Sequence, residues 1–444
     1  MFFLPSRGGT APASLPHDAR HPHAAAPFSH PVRGIRQNSG QFLLQTAHVF
    51  FIGLILGMER NVLPAMSHVF GVDKSAFLFL ASFVISFGLV KGLMNFIAGG
   101  LTDRIGRRRV LLIGWMAGLP IPILIFFAPN WWWIIGANVF LGVSQALTWT
   151  VTVVSQIDMA DSHQRGLAVG INEATGYAAM GLAGLVTSFL AVRYGPRWAL
   201  LVFGLTVIAL ALILMIWTKD TTAWARGEHA QNQQRTGVQA AVTPRARVWT
   251  AFLHVSFQDA TYRALCQGGV ANKIADSLVW VLFPAFFRLH GLGIIRIGWI
   301  TGVYGMIWGL NQLWTGHLAD RIGRKTPIVL GFSLLAAGLA ATALAGHFSA
   351  WVAAAAVMGF GMALLYPNLI AAMSDVAPPL ERGMILGIYR YWRDTGYAIG
   401  GFVLGMAAQW RNEILPVIWL TAGIIGLSGL WIALAIRPSR SASA

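Results

Sequence analysis

Charged side chains are scarce in this chain. They make up 11% of its 444 residues, whereas 56% of the residues are hydrophobic and the mean hydropathy is +0.62. The surface of a soluble domain of this length needs roughly a quarter of its residues charged. Water therefore cannot be the main solvent around this fold, and the lipid bilayer is the solvent that fits such a composition.

Other absences exclude whole classes of chemistry. A single Cys266 excludes an intrachain disulfide framework and a cysteine-based metal cluster. There is no Walker-type loop, so ATP is not expected to act on the chain directly. The apolar segments carry no spacing of His, Asp and Glu typical of a nucleophilic or metal site. We expect no enzyme activity, no metal and no cofactor.

Long apolar runs are what the chain has in abundance. Each has about the 20 residues that a helix needs to cross the hydrocarbon layer. In lipid only helices or closed barrels satisfy the backbone, and these runs are too continuous for barrel strands. The twelve runs are 44–67, 76–99, 110–128, 131–157, 166–192, 196–218, 264–287, 293–317, 327–346, 349–374, 383–409 and 413–436.

Polar segments divide these runs into two groups of six. The sequence thus predicts an all-α polytopic membrane protein with 12 transmembrane helices in two pseudo-symmetric six-helix bundles. The predicted parts are a disordered cytoplasmic tail without a signal peptide (1–43), the N-terminal bundle (44–218), a cytoplasmic linker ending in an interfacial helix (219–262), the C-terminal bundle (263–436) and a second cytoplasmic tail (437–444).

The net charge of +16 follows the topology and does not require a nucleic-acid partner. With both termini and the linker in the cytoplasm, six of the 32 Lys and Arg fall in external loops and five within spans, which leaves 21 on the cytoplasmic side. This positive-inside bias predicts cytoplasmic termini. We also expect the protein in the plasma (inner) membrane.

One charged cassette occurs twice. Residues 100–109 read GLTDRIGRRR, and residues 316–325 read GHLADRIGRK. The shift of 217 residues also places Glu59 on Asp276, Asn95 on Gln312 and Glu173 on Arg390. One register over more than a hundred residues indicates a duplication with parallel topology, as in transporters whose site lies between the repeats.

The two cassettes resemble the signature loop of the major facilitator superfamily and its weaker second copy. The resemblance covers about 44–436 and implies twelve spans, cytoplasmic termini and secondary transport. It assigns the signature positions to Gly99, Asp103, Arg104, Gly106, Arg107 and Arg108, and in the second half to Gly316, Asp320, Arg321, Gly323, Arg324 and Lys325. Glycines permit the tight turn, arginines stay at the anionic leaflet, and the Asp can accept hydrogen bonds from a helix N-terminus across the interface between the halves.

No subfamily follows from the resemblance. Proton-linked drug antiporters carry an Arg ahead of a Gly in span four, where this chain has Asn138 before Gly142. Their Gly-Pro pair in span five is missing here, and so is the Pro-Glu-Ser signature of sugar porters after span six.

Nine charged residues within the spans indicate where the solute or proton binds. Exposing all nine to lipid would cost about 25 kcal/mol, so they must pair or line a cavity. Lys273 with Asp276, and Arg390 with Asp394, also have helix-neighbour spacing and could simply pair locally. Together with polar neighbours, the candidates for the cavity and for proton coupling are Glu59, Arg60, Lys91, Asn95, Asn138, Gln145, Asn172, Glu173, Asn272, Lys273, Asp276, Asn311, Gln312, Tyr366, Asn368, Arg390, Arg393 and Asp394.

The predicted function is secondary active transport of a small solute by alternating access. Proton-coupled efflux by antiport is the leading interpretation, with proton-linked uptake of a small metabolite or organic anion as the alternative. A transporter-like membrane sensor would share the fold and is a third possibility. The expected partners are a small-molecule substrate, protons and the lipid bilayer, with no obligate protein partner.

Overall fold

The fold was determined from a computed structural model, which describes residues 32–73, 75–161, 164–225, 245–378 and 381–436. Within these ranges the chain is all α-helical, without a β-strand. The predicted tail at 1–31, the middle of the linker at 226–244 and the C-terminal tail at 437–444 lie outside the described residues.

Twelve long helices form the fold, as the apolar runs predict. They are α1 (Ser39–Gly57), α2 (Phe77–Ile105), α3 (Arg107–Phe127), α4 (Trp131–Met159), α5 (Arg165–Tyr194), α6 (Pro196–Leu214), α7 (Ala260–Leu289), α8 (Ile294–Ile322), α9 (Lys325–Leu344), α10 (Phe348–Val376), α11 (Arg382–Arg411) and α12 (Leu415–Ala435). Ten of them are long and apolar enough to span a membrane, all except α8 and α11.

The two halves pack in the same pattern. In the first half α1 packs on α5, α2 on α4 and α3 on α6; in the second half α7 packs on α11, α8 on α10 and α9 on α12. Between the halves α5 packs on α8, and α2 packs on α11.

Two local features place the charged residues. Pro64 would clash with the carbonyl of Arg60 in a regular helix, and α1 gives way at 58–61 to a turn before the short helix Val62–Ala65. Glu59 and Arg60 lie in this turn. At the signature loops, Gly106 and Gly323 have φ of 89° and 83°, which favours glycine and lets α2 and α8 turn sharply into α3 and α9.

The polar segments differ from the prediction at their edges. Helix α1 begins at Ser39, inside the predicted tail, because Gly34 and Ile35 bond to the ends of α4 and α5 and anchor the chain before it. The first part of the predicted linker is tied to the N-terminal half, where the backbone N–H of Lys219 donates to Gln41. Before α7 the chain forms the helix Arg245–Leu253 and one π-helical turn, His254–Gln258.

Candidate functional site

A buried ion pair joins the two halves near the middle of the bundle. The guanidinium of Arg60 donates from both Nη atoms to the two carboxylate oxygens of Asp276, each at 3.0 Å. The hydroxyls of Tyr304 and Tyr397 also donate to Asp276. The Arg60 guanidinium lies 4.5 Å from the centre of the Trp280 ring. The carboxylate of α7 is therefore held by a residue of the α1 turn and by α8 and α11.

Lys273 lies one turn away in an aromatic cage. Its ammonium is 4.8 to 5.1 Å from the ring centres of Tyr177, Trp308, Tyr366 and Tyr397. It donates to the hydroxyls of Tyr177 at 3.1 Å and Tyr397 at 3.2 Å. Asp276 is 3.6 Å away, so the local pair predicted from the helix spacing is present. Tyr177 belongs to the first half, so the cage also links the halves.

The arginine-rich loops define the two ends of the molecule. We call the end that carries the α2–α3 and α8–α9 loops the loop face, and the other end the opposite face. Toward the loop face from the ion pair lies a second polar cluster. Arg393 donates from Nε at 2.7 Å and from Nη2 at 2.9 Å to Asp394, and from Nη1 at 2.9 Å to the Tyr366 hydroxyl. The amide of Asn95 on α2 donates to Asp394 and accepts from Thr150.

A small cavity lies beside this cluster, between the halves. Counted at 1.5 Å per residue from the helix ends, its lining residues lie about 12 to 21 Å from the loop face. The space open to the centre of a water molecule is about 10 Å³, which is room for about one water. The lining residues are Lys91, Asn95, Trp149, Thr150, Glu173 and Tyr177 from the first half, and Tyr366, Arg390 and Arg393 from the second.

Lys91 and Arg390 line this cavity without an acidic partner among the described residues. The Lys91 ammonium contacts only two rings, Phe87 at 5.3 Å and Trp149 at 5.4 Å, and the residue is 6% exposed. The local Arg390–Asp394 pair considered from the helix spacing is replaced by Arg393–Asp394.

Two buried carboxylates are only partly satisfied. Glu59 accepts from the amide of Asn138 at 3.4 Å, and Glu173 accepts from the indole N–H of Trp149 at 3.0 Å. The other oxygen of each carboxylate has no hydrogen bond from any described residue. Asp276, the equivalent of Glu59 in the second half, is by contrast fully bonded. Duplicated positions have thus acquired different surroundings.

Most of the other predicted site residues bond within their own half. Asn138, Asn311 and Asn368 each donate to the carbonyl one turn earlier in their helices. Gln145 donates to the carbonyl of Ile52, Asn172 to the Gln156 side chain and Asn272 to the sulfur of Met362. The side-chain amide of buried Gln312 has no partner among the described residues. None of these seven lines the cavity between the halves.

The signature loops carry a matched pair of ion pairs. Arg107 contacts Asp158 at 3.1 Å, and Arg324 contacts Asp375 at 3.1 Å. The shift of 217 residues relates both members of the two pairs, so it would have identified Asp158 and Asp375, which the sequence reasoning missed. The side chains of Asp103 and Asp320 lie outside the described part of the structure, so their predicted role stays a prediction.

Apart from Tyr366, the aromatic residues around Lys273 are the other part of the site that the sequence reasoning missed. The tripeptide Thr-Gly-Tyr occurs in α5 as 175–177 and in α11 as 395–397. Both tyrosines contact Lys273. This repetition was a usable signal, because the same tripeptide recurs in corresponding helices of the two halves, although it lies three residues off the 217-residue register.

The halves are in close contact toward the opposite face and diverge toward the loop face. A Cβ added at Gly305 would lie 2.8 Å from the Cα of Gly181, and one at Gly88 would lie 2.5 Å from the backbone of Ala398. Nearer the loop face, a Cβ at Gly170 on α5 or at Gly387 on α11 would meet no described atom within 4 Å. The side chains of Asn61 and Thr301 close the opposite side with a 2.7 Å hydrogen bond.

Two repeated six-helix bundles, with a charged cluster buried between them, define a membrane transporter built on parallel repeats. The sequence profile described as Major Facilitator Superfamily matches residues 49–272 and 265–444. The chain therefore belongs to the major facilitator superfamily.

Individual relatives match over a shorter range. Proteins named multidrug resistance protein MdtH, from Yersinia pestis (strain Pestoides F) and from Yersinia pseudotuberculosis (serotype O:1b, strain IP 31758), are each 32% identical over 168 residues. That alignment covers 36% of this chain and 41% of either relative. The chain thus spans less than half the length of these curated relatives.

Proposed function

We propose that this protein is a secondary active transporter that exports a small solute in exchange for protons by alternating access. The observation that carries the proposal is the buried Arg60–Asp276 contact between the halves, with a small cavity of about 10 Å³ on either side of it. The cavity on the loop-face side is the one lined by several charged residues. The positive-inside bias supports placing the loop face and both termini on the cytoplasmic side. The membrane that we propose is the plasma (inner) membrane.

Alternating access requires the cavity to change size and its exit to change side. The present free space of about 10 Å³ admits a water molecule but not an organic solute. Because the cavity walls come from both halves, a small rotation of one half against the other would widen it. The same rotation would break contacts such as Asn61–Thr301 and open the opposite face.

Glu59 and Glu173 are the proposed proton carriers. A buried carboxylate without a full set of partners is costly in its charged form, and a proton on the free oxygen removes that cost. Asp276 is a poorer candidate, because Arg60, Lys273 and two tyrosine hydroxyls already stabilise its charge. Glu173 shares its cavity with Lys91, Arg390 and Arg393, so its protonation would change the charge that the solute meets.

The direction of transport is proposed from the relatives. The name multidrug resistance protein fits export, and the chain shares sequence with those proteins over part of its length. Proton-linked uptake of an organic anion is the second candidate, and the excess of cations around the cavity favours it.

The test uses proteoliposomes that enclose a pH-sensitive dye. A solute added outside raises the lumenal pH if it enters in exchange for protons, and lowers it if it enters together with them. Ethidium and benzenesulfonate, an organic cation and a permanent organic anion, serve as first probes. The absence of any protein-dependent pH change or solute flux over a broad panel would contradict the proposal.

Neutral variants identify the proton carrier. We expect Glu173→Gln or Glu59→Gln to abolish the pH change while solute exchange down its own gradient continues. Glu413→Gln, at an exposed position on the opposite face, is the matched control.

Orientation is tested with an impermeant thiol reagent added outside the cell. The reagent should fail to label cysteines placed at 104–109 or 321–325 in a Cys266→Ala background.

A further inference from the structure

The charges buried between the halves do not balance. Among the nine predicted intramembrane charges are five cations and four carboxylates, which leaves one positive charge in excess. Among the residues that line the cavity, three cations stand against one carboxylate. Asp394 forms its ion pair with Arg393 and interacts with Lys91 and Arg390 only through its charge, and Glu173 is the carboxylate among the residues that line the cavity.

Lys91 is buried and Arg390 is partly buried, and neither forms an ion pair with a described residue. Lys91 has neither a hydrogen bond nor an ion pair with any described residue, although more than nine-tenths of it is buried. One oxygen of Glu173 is already bonded to Trp149. A buried ammonium without a hydrogen-bond partner is strongly unfavourable. We therefore expect a ligand to bind the Lys91 ammonium during part of the transport cycle.

From this arrangement we infer that the solute is a small organic anion, whose carboxylate or sulfonate group binds between Lys91 and Arg390. The inference rests on the proposed transport function and names its substrate class. Arg390 offers a planar fork of donors that matches an oxyanion, and Lys91 offers a compact charge. The rings of Trp149, Tyr177 and Tyr366 form another part of the wall and favour an aromatic or apolar body.

The position of the two cations connects binding to the conformational cycle. Lys91 is on α2 of the first half and Arg390 on α11 of the second. Without an anion the two like charges repel each other across the interface. An anion between them attracts both, so the solute draws the halves together around itself and stabilises the occluded state.

Three probes that share one ring but differ in charge test the substrate class. Benzenesulfonate is an anion, benzenesulfonamide is neutral and benzylammonium is a cation at neutral pH. Binding to the detergent-solubilised full chain is measured by calorimetry and by the ligand-induced change in Tm. We expect saturable binding of benzenesulfonate and at least about tenfold weaker binding of the other two. Equal binding of the three, preference for benzylammonium or no saturable binding of benzenesulfonate would overturn the inference.

Variants locate the site. Lys91→Met and Arg390→Gln should each weaken benzenesulfonate binding at least about tenfold, whereas Lys91→Arg should retain most of it. The exposed cations Lys219 and Arg411 supply the controls Lys219→Met and Arg411→Gln, which should bind like the unmodified protein. Because Lys91 has no hydrogen bond or ion pair with a described residue, Lys91→Met should not lower the Tm without ligand, and this separates lost binding from lost folding. Unchanged binding in both cavity variants would place the anion elsewhere.

The inference and the transport proposal fail in different ways. Cross-linking between α5 and α8, described below, reports whether the halves move, irrespective of the solute. Changes in cross-linking without anion binding would leave alternating access standing and remove the substrate class. Anion binding to halves that never move would leave the site and remove the transport proposal.

Discussion

Replacement of Asp276 by Asn tests the central contact directly. The carboxylate is fully buried and accepts two hydrogen bonds of 3.0 Å from Arg60. Removing one member of a buried ion pair costs about 3–5 kcal/mol, because the remaining charge stays buried without compensation. Water reaches Arg60 once the halves part, so most of that cost falls on the present conformation. The equilibrium should then move at least about 100-fold toward the alternative state.

A cysteine pair between α5 and α8, toward the opposite face, reports this shift. A Cβ added at Gly302 on α8 would lie 3.5 Å from the Cβ of Leu185 on α5, within the range of a disulfide. Leu185→Cys with Gly302→Cys, in a Cys266→Ala background, should cross-link rapidly under mild oxidation in the present conformation. Addition of Asp276→Asn should slow the cross-linking strongly.

An exposed ion pair of similar length serves as the control. Arg324 and Asp375 are 3.1 Å apart, close to the 3.0 Å between Arg60 and Asp276, but the Asp375 side chain is 57% exposed. Such exposed pairs contribute about 0–1 kcal/mol. Asp375→Asn should therefore leave the cross-linking rate nearly unchanged. If Asp276→Asn protein that remains folded cross-links as fast as the parent, the buried pair does not hold the two halves in this state.

Three further predictions concern the ends and the middle of the helices. Asp103→Asn should impair transport without removing the protein from the membrane. Full activity of this variant would mean that the charged loop only sets the orientation of the helices in the membrane. Lys91→Asp and Asp394→Lys should each abolish transport, and the double swap should recover a measurable fraction if the two side chains meet in another conformation. Partial burial would raise the pKa of Asp220, but hydrogen bonds from Thr222 and the Arg108 N–H outweigh it and lower that pKa. Its contribution to stability should hold at neutral pH and be lost as the pH falls below about 4, so Asp220→Asn should flatten the acid branch of a Tm-versus-pH curve.

The helices and the repeat were accessible from the sequence because each depends on patterns along one chain. Hydrophobic runs predicted twelve helices, and the shift of 217 residues placed Gly106 and Gly323 in turns of matching φ. The same register relates Asp158 to Asp375, so the ion pairs at the signature loops could also have been predicted from the sequence.

The contacts between the halves were not accessible in that way. Helix spacing suggested that Lys91 could meet Asp394 in one conformation, and this stays a prediction. In the present conformation Asp394 bonds to Arg393 and to Asn95, one turn from Lys91, and interacts with Lys91 only through its charge. Spacing along a helix gives depth in the membrane but not rotation about the helix axis, which packing decides. The position of Arg60 was harder still to predict, because the residue lies in the turn at 58–61. Helical periodicity does not determine the direction of a side chain in a turn.

The stacking of Tyr177 on Trp308 gives the molecule an optical signal of its own. The two rings belong to different halves, and their centres are 3.8 Å apart with 23° between the planes. Indole emission depends on what touches the ring, so separation of the halves should change the intensity and wavelength of Trp308 fluorescence. The chain has 18 tryptophans, and subtracting the spectrum of a Trp308→Phe variant isolates this one. Opening and closing could then be followed in real time in an unlabelled protein, before any transported compound is known.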